Sequence, residues 1–135
     1  MLLAHHRTLI DGLRAPSATD PWRVLVSGCL NGWKCGVDAS DNGLGASLSD
    51  LLALPTFRPI PFCPEQHALG TPRGMPDIHG GDGFDVLAGR ARVLDESGNE
   101  ITERMLEGAR VMLELARDAR AELVILTDMS AVCGS

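Results

Sequence analysis

No tyrosine occurs in the 135 residues, and aromatic residues make up 4% of the chain. Its core is therefore expected to consist of Leu, Val, Ile, Ala and Met rather than of stacked rings. No apolar run approaches the roughly 20 residues that a membrane-spanning helix requires. A compact apolar segment followed by a small-residue cleavage site is also missing, so no export signal is read, and the cytoplasm is the expected compartment. Clusters of Lys and Arg are absent, and the net charge is −6. A groove that follows a nucleic-acid polymer needs the opposite balance, whereas a free base or nucleoside remains compatible with it. No Cys-x-x-Cys pair exists either, which excludes a redox dithiol of that spacing.

What is present is a chain with 44% hydrophobic and 22% charged residues, a length suited to one soluble domain with a real core. It carries Cys29, Cys35, Cys63 and Cys133. In a reducing compartment such thiols are metal ligands, catalysts or buried core residues more often than disulfides.

Val24-Leu-Val-Ser-Gly-Cys29 organises the reading. Val24, Leu25 and Val26 would be apolar on both faces of a strand, as in the middle of a parallel sheet. Ser27-Gly28 ends the run and sets Cys29 just beyond it. Phe57–Phe62 is a second apolar run with Cys63 directly after it. Leu123–Leu126 is a third, and Cys133 follows some residues later. Ligands bind beyond the carboxyl ends of the strands in open α/β sheets. Three strands that each deliver a cysteine there would gather three thiolates on one rim.

Residues 1–22 read as an N-terminal extension and linker, with Leu2, Leu3, Leu9, Ile10 and Leu13 on one short amphipathic helix. His5-His6 is read as a surface pair. After Cys29 comes a turn-rich loop through Asp38, and Cys35 within it is read as a loop residue in preference to a spare thiol near the site. Asp41-Asn-Gly-Leu-Gly-Ala46 lacks the strand and third glycine of a dinucleotide fingerprint. Ser47 or Ser49 is expected to cap a helix over Leu48, Leu51, Leu52 and Leu54, completing a βαβ unit with a right-handed crossover.

Pro64 biases Cys63 towards an extended backbone. Glu65, two residues from that thiol, is either a proton donor and water-orienting group or a solvated loop carboxylate. Arg73 lies between prolines and glycines, with an anion, a carbonyl or Glu65 as its candidate partners. Asp82 in Gly80-Gly-Asp-Gly83 is a turn residue or a substrate contact, and His67 and His79 are read as loop residues. Ala91–Leu94 is expected as a short strand. Thr102 is the expected cap of a helix running to about Arg120, with a staple from Ile101 to Leu106. Leu106, Ala109, Leu113 and Ala116 would form its packed face, and Arg110 and Glu114 would pair across one turn.

In combination, Val-Ser-Gly-Cys29-Leu, Cys63-Pro-Glu65, Thr71-Pro-Arg73, Gly80-Gly-Asp-Gly83 with Asp85-Val-Leu, Arg90-Ala-Arg-Val and Ser130-x-x-Cys-Gly-Ser135 resemble domain-of-unknown-function family 523, which includes the thiouracil desulfurases. The resemblance spans residues 23–135. It implies a single compact α/β domain with a mostly parallel sheet and helices packed on it, Rossmann-like and three-layered. It further implies a [4Fe-4S] cluster held by Cys29, Cys63 and Cys133 with the fourth iron open. Glu65 then falls on the family's acid/base residue and Ser130 on its active-site serine. The implied reaction is non-redox removal of sulfur, as sulfide, from a thiolated pyrimidine base or nucleoside. Arg73 and Asp82 are the candidate substrate contacts.

Two features depart from the family pattern. Ser130-Ala-Val-Cys133 stands where relatives usually read Ser-Pro-Ser-Cys, and relatives usually continue beyond Cys-Gly-Ser into another loop and strand. The competing readings are a zinc protein using three or four of the cysteines, and a metal-free module that binds a small molecule.

Overall fold

The computed structural model describes residues 2–128 and 130–133, with side chains from residue 7 onward; the His5–His6 side chains lie outside the described residues. A three-stranded parallel sheet forms the centre, in the order β2 (Phe57–Phe62), β1 (Trp22–Ser27), β5 (Leu123–Ile125). Beside it lies an antiparallel pair, β3 (Asp77–His79) and β4 (Arg92–Leu94). Helices α1 (Leu2–Asp11), α2 (Ser49–Leu52), α3 (Pro64–Leu69), α4 (Gly83–Leu87) and α5 (Thr102–Asp118) complete an α/β domain. No helix among the described residues is long and apolar enough to cross a membrane.

β1 is central because it is apolar on both faces: Val24 and Val26 are fully buried and Leu25 nearly so. Val24 and Val26 join Leu30 and Leu52 in one core cluster, against which Trp22, Phe57, Leu123 and Ile125 pack. A second cluster, Val86, Ala91, Val93, Ile101 and Met105, lies under α5 and the β3–β4 pair. β2 is an edge strand, and its prolines show why. Its register sets Pro59 opposite Val24 and Pro61 opposite Val26. Both prolines therefore occupy the alternate positions whose N–H would face away from β1, where a missing donor costs no ladder bond.

Several local expectations are corrected. The helix after Ser49 is one turn long, its cap position is Leu48, and no side chain caps it; the Ser49 hydroxyl instead donates to the Ala46 carbonyl. The cap residue of α5 is Ile101 rather than Thr102. Thr102 Oγ1 accepts the Val93 N–H at 3.0 Å and so ties α5 to β4. The buried face of α5 is Met105, Gly108 and Met112, one position from the expected stripe, and Leu113 is 50% exposed. Arg110 pairs with Glu107, not Glu114. The segment before β1 is tied to the sheet by side chains. Arg14 forms hydrogen bonds to Glu122, Asp20 and the Pro21 carbonyl, and the Trp22 indole donates to the Arg14 carbonyl at 3.1 Å. Leu9, Ile10 and Leu13 on and after α1 remain exposed.

Gly108 sets the distance between α5 and α3. A Cβ there would lie far inside contact with the Pro64 carbonyl oxygen, and backbone cannot swing aside. Alanine would add about 1 kcal/mol of helix propensity, but forced separation of two packed helices costs about 1–3 kcal/mol. Gly108→Ala should thus lower the urea midpoint, and an unchanged or higher midpoint would show that the helices have slack. The Arg14 tether gives a pH test. The Arg14 hydrogen bond holds the Glu122 pKa down, from 4.5 to about 2. A folded-state value below the unfolded one means stability present at neutral pH and lost as pH falls through that interval. The wild type should lose more stability between pH 5 and 2 than Glu122→Gln, as read by urea unfolding across pH.

Candidate functional site

Parallel pairing brings the carboxyl ends of β2, β1 and β5 to one rim. Ser27 pairs with Phe62, so Cys63 stands one residue beyond that pair and Cys29 two residues beyond it, in a 3-10 turn over Gly28–Asn31. Thr127 follows β5, donates its N–H to Ser27 Oγ at 3.0 Å, and has Oγ1 3.0 Å from Cys29 Sγ. The Ser27 and Ser130 hydroxyls lie close enough to the Cys133 sulfur to act on its titration. Cys133 and Cys63 lie within electrostatic reach of each other, as do Cys35 and both Cys29 and Cys63. All four cysteines are free thiols. The three strand-end cysteines thus share a neighbourhood, as their positions in the sequence suggest.

Cys63 is the N-cap of α3. Its backbone is extended (φ −126°, ψ 105°), Pro64 takes the first helical position, and its sulfur accepts the Gln66 N–H at 3.4 Å. Glu65 is in the first turn of this helix and is 7% exposed, so of its two readings the solvated loop carboxylate does not hold. Its carboxylate is held from two sides. Arg73 Nη2 donates to Oε2 at 2.9 Å, and Ser130 Oγ donates to Oε1 at 2.9 Å. Arg73, whose side chain is 5% exposed, also donates to the Cys35 carbonyl at 2.8 Å and the Gly70 carbonyl at 3.1 Å. Two of its three anticipated partner types, carboxylate and carbonyl, are therefore present together. Ser130 Oγ in turn accepts the Val132 and Cys133 N–H groups, so one hydroxyl joins the Cys133 loop to Glu65.

The thiols differ in acidity. The Cys63 pKa is drawn down to about 6, first by a hydrogen bond from the Cys35 thiol, then by the Gln66 N–H and the Arg73 charge, against burial and Glu65. The Cys35 pKa is pushed strongly up, because that thiol is the donor to Cys63 and is buried. Burial pushes Cys133 up as well, against the Ser27 and Ser130 hydroxyls. Near neutral pH Cys63 is accordingly the readiest of these three to act as a thiolate.

Cys35 is not merely a loop residue. It is 2% exposed and packed against Cys63. Asp82 does not share this neighbourhood in its contacts; its carboxylate accepts the Asp85 N–H at 3.1 Å and completes a reciprocal capping box at the start of α4. The part of Ser27 and Thr127 in the site is not read from the sequence, although each is the first hydroxyl after an apolar strand run. Among the described residues, Gln66 Oε1 and Arg73 Nε are buried polar atoms near the site with no hydrogen-bond partner. An apolar hollow of about 150 Å³ lies between α4 and α5, and Ala131 and Val132 of the Cys133 loop form one wall of it.

Among the described residues no three His, Cys, Asp or Glu side chains close on one point as the ligands of a single ion do. The donor set still fits an iron–sulfur cube. It consists of three free, partly buried thiols from three strand ends, and ligands of different irons stand further apart than ligands of one.

Fold and rim together define an α/β domain with a cysteine-lined site at the carboxyl end of a parallel sheet. Residues 24–135 match the family model described as 2-thiouracil desulfurase, and the chain belongs to that family. It is 37% identical over 113 residues to the uncharacterized protein YbbK of Bacillus subtilis (strain 168), across 83% of this chain and 73% of YbbK. Its fold matches the solved structure of the [4Fe-4S]-dependent thiouracil desulfidase TudS with a TM-score of 0.68 and 29% identity. That match covers 84% of this chain and 69% of the other.

Breaking the Glu65–Arg73 pair should be costly, because it leaves one charge buried alone. Arg73→Leu is expected to lose about 3–5 kcal/mol, and adding Glu65→Gln should recover part of it. Additive losses in a double-mutant cycle of urea unfolding would show that the two side chains are not coupled.

Proposed function

We propose that this chain removes sulfur from a thiolated pyrimidine base or nucleoside, releasing sulfide, with a [4Fe-4S] cluster on Cys29, Cys63 and Cys133. The observation that carries the reading is the gathering of three thiols beside the buried Glu65–Arg73–Ser130 network. Family membership and the likeness to TudS support it. When bound, a cluster with one iron free of protein ligands supplies a soft Lewis acid for a thiocarbonyl sulfur.

The chain's own residues carry the proton chemistry. Glu65 takes a proton from the water that attacks the thiocarbonyl carbon and returns one to the departing sulfur. Arg73 and Ser130 fix its carboxylate from opposite oxygens, so it is oriented before substrate arrives. Arg73 Nε, buried and without a partner among the described residues, is a donor left over for a substrate carbonyl or for developing negative charge. An unsatisfied buried donor costs about 1–3 kcal/mol, which a bound acceptor would offset. Ser130 holds the Cys133 loop in register with the carboxylate. Asp82 serves as a helix cap in this scheme. A zinc site on the same thiols is the second reading.

The test is anaerobic reconstitution with iron and sulfide, followed by sulfide release from a panel of thiolated bases and nucleosides. Colourless protein that retains one zinc and releases no sulfide would overturn the proposal. Cys29→Ser, Cys63→Ser and Cys133→Ser should each abolish iron uptake, while Cys35→Ser should retain it. Equal loss at Cys35 would reassign the ligands. Glu65→Gln should keep its iron and slow turnover by ~10²–10⁴, the usual reach of general acid–base catalysis; unchanged turnover would remove Glu65 from the mechanism.

A further inference from the structure

The proposed reaction leaves Cys35 without a task, although it is buried against a ligand candidate. The Cys63 sulfur lies 3.9 Å from the Cys35 carbonyl oxygen, and the two thiols are near enough to act on each other electrostatically. The surroundings fix both residues. The Cys35 carbonyl is clamped by Arg73, the Arg73 N–H donates to the Val37 carbonyl, and Cys63 is locked as the cap of α3. The two sulfurs are therefore held together by the fold, although 28 residues separate them in sequence. They are also unequal in access, since Cys63 is half-buried and Cys35 is closed off from solvent. A soluble oxidant meets Cys63 first.

We propose that Cys35 is the resolving thiol of Cys63: when Cys63 is not engaged as a ligand, a peroxide oxidises it and Cys35 closes the oxidised sulfur into a disulfide that bars iron from the site until a dithiol reduces it. This rests on the reading of Cys63 as a ligand. In the first step the Cys63 sulfur attacks one peroxide oxygen, the O–O bond breaks, and a sulfenic acid and one water result. In the second, the Cys35 sulfur attacks the Cys63 sulfur, the S–O bond breaks, and the Cys35 proton leaves with the hydroxyl as a second water. The two thiols together give two electrons to one peroxide. Without the resolving thiol the sulfenic acid is open to a second peroxide and to irreversible sulfinic acid.

The experiment uses the full chain freed of iron, reduced under anaerobic conditions and treated with hydrogen peroxide in several-fold molar excess, since sulfinic acid takes two peroxides per thiol. Cleavage at aspartates then separates the two cysteines, because the Arg58–Pro59 bond resists trypsin. The expected result is a Cys35–Cys63 peptide pair two hydrogens lighter than the reduced pair, loss of most iron uptake on reconstitution, and recovery of uptake after dithiothreitol. In Cys35→Ala, and in Cys35→Ser as a second variant checked for folding by circular dichroism, the same dose should yield Cys63 sulfinic acid and a loss of uptake that dithiothreitol does not reverse. Pairing of Cys63 with Cys29 or Cys133, or equal sulfinic acid with and without Cys35, would overturn the proposal. Failure of the reduced protein to take up iron at all would count against the cluster reading instead, and the peptide map would still decide the role of Cys35.

Discussion

Everything at the rim depends on parallel pairing around β1. A strand buried on both faces needs a neighbour at each edge, and when both neighbours run the same way all three carboxyl ends coincide. Alternation along β1 then divides the work. Trp22 uses its N–H towards the β2 side, on the Thr56 carbonyl, while Arg23 offers its carbonyl to Glu122 before β5. The ladder brings Cys63 and Cys29 to the rim directly, while Cys133 reaches it through the loop that Ser130 holds.

A second set of constraints stands on that ladder. Arg73 joins the Cys35 loop, the end of α3 and Glu65 through one guanidinium, and Ser130 adds the Cys133 loop from the other side. The same few polar groups therefore position the proton-handling carboxylate and order the loops that carry thiols. Little of this network faces solvent, so its charges act on one another with less screening than on the surface.

The strands and their thiols were legible because strong apolar runs end abruptly in Ser-Gly, Cys-Pro or Thr. The Glu65–Arg73 pair was among the partners read for Arg73 from the sequence, whereas Ser130 entered the site only through resemblance, since 65 residues separate it from Glu65 and no local period links them. The buried face of α5 was misread for a physical reason. Met105, Gly108 and Met112 repeat at the same helical spacing as Leu106, Ala109 and Leu113, so period cannot choose between them. The close approach of Pro64 chooses, by requiring a residue without a side chain. α3 was missed because its cap is a thiol, outside the usual Ser, Thr, Asp and Asn, and α4 because its capping box ends in Asp85 rather than in Glu. Cys35 was underrated because sequence shows a loop but not what lies beneath it.

The prolines of β2 give the sheet a direction of growth. With no N–H at positions 59 and 61, the outer side of β2 cannot donate there to an added strand. The outer side of β5 has no such block: it is three residues long and leaves Val124 exposed. Any further strand, from this chain or another, would find its hydrogen-bond partners beside β5, next to the loop that carries Cys133, and would extend the wall of the site in the same act.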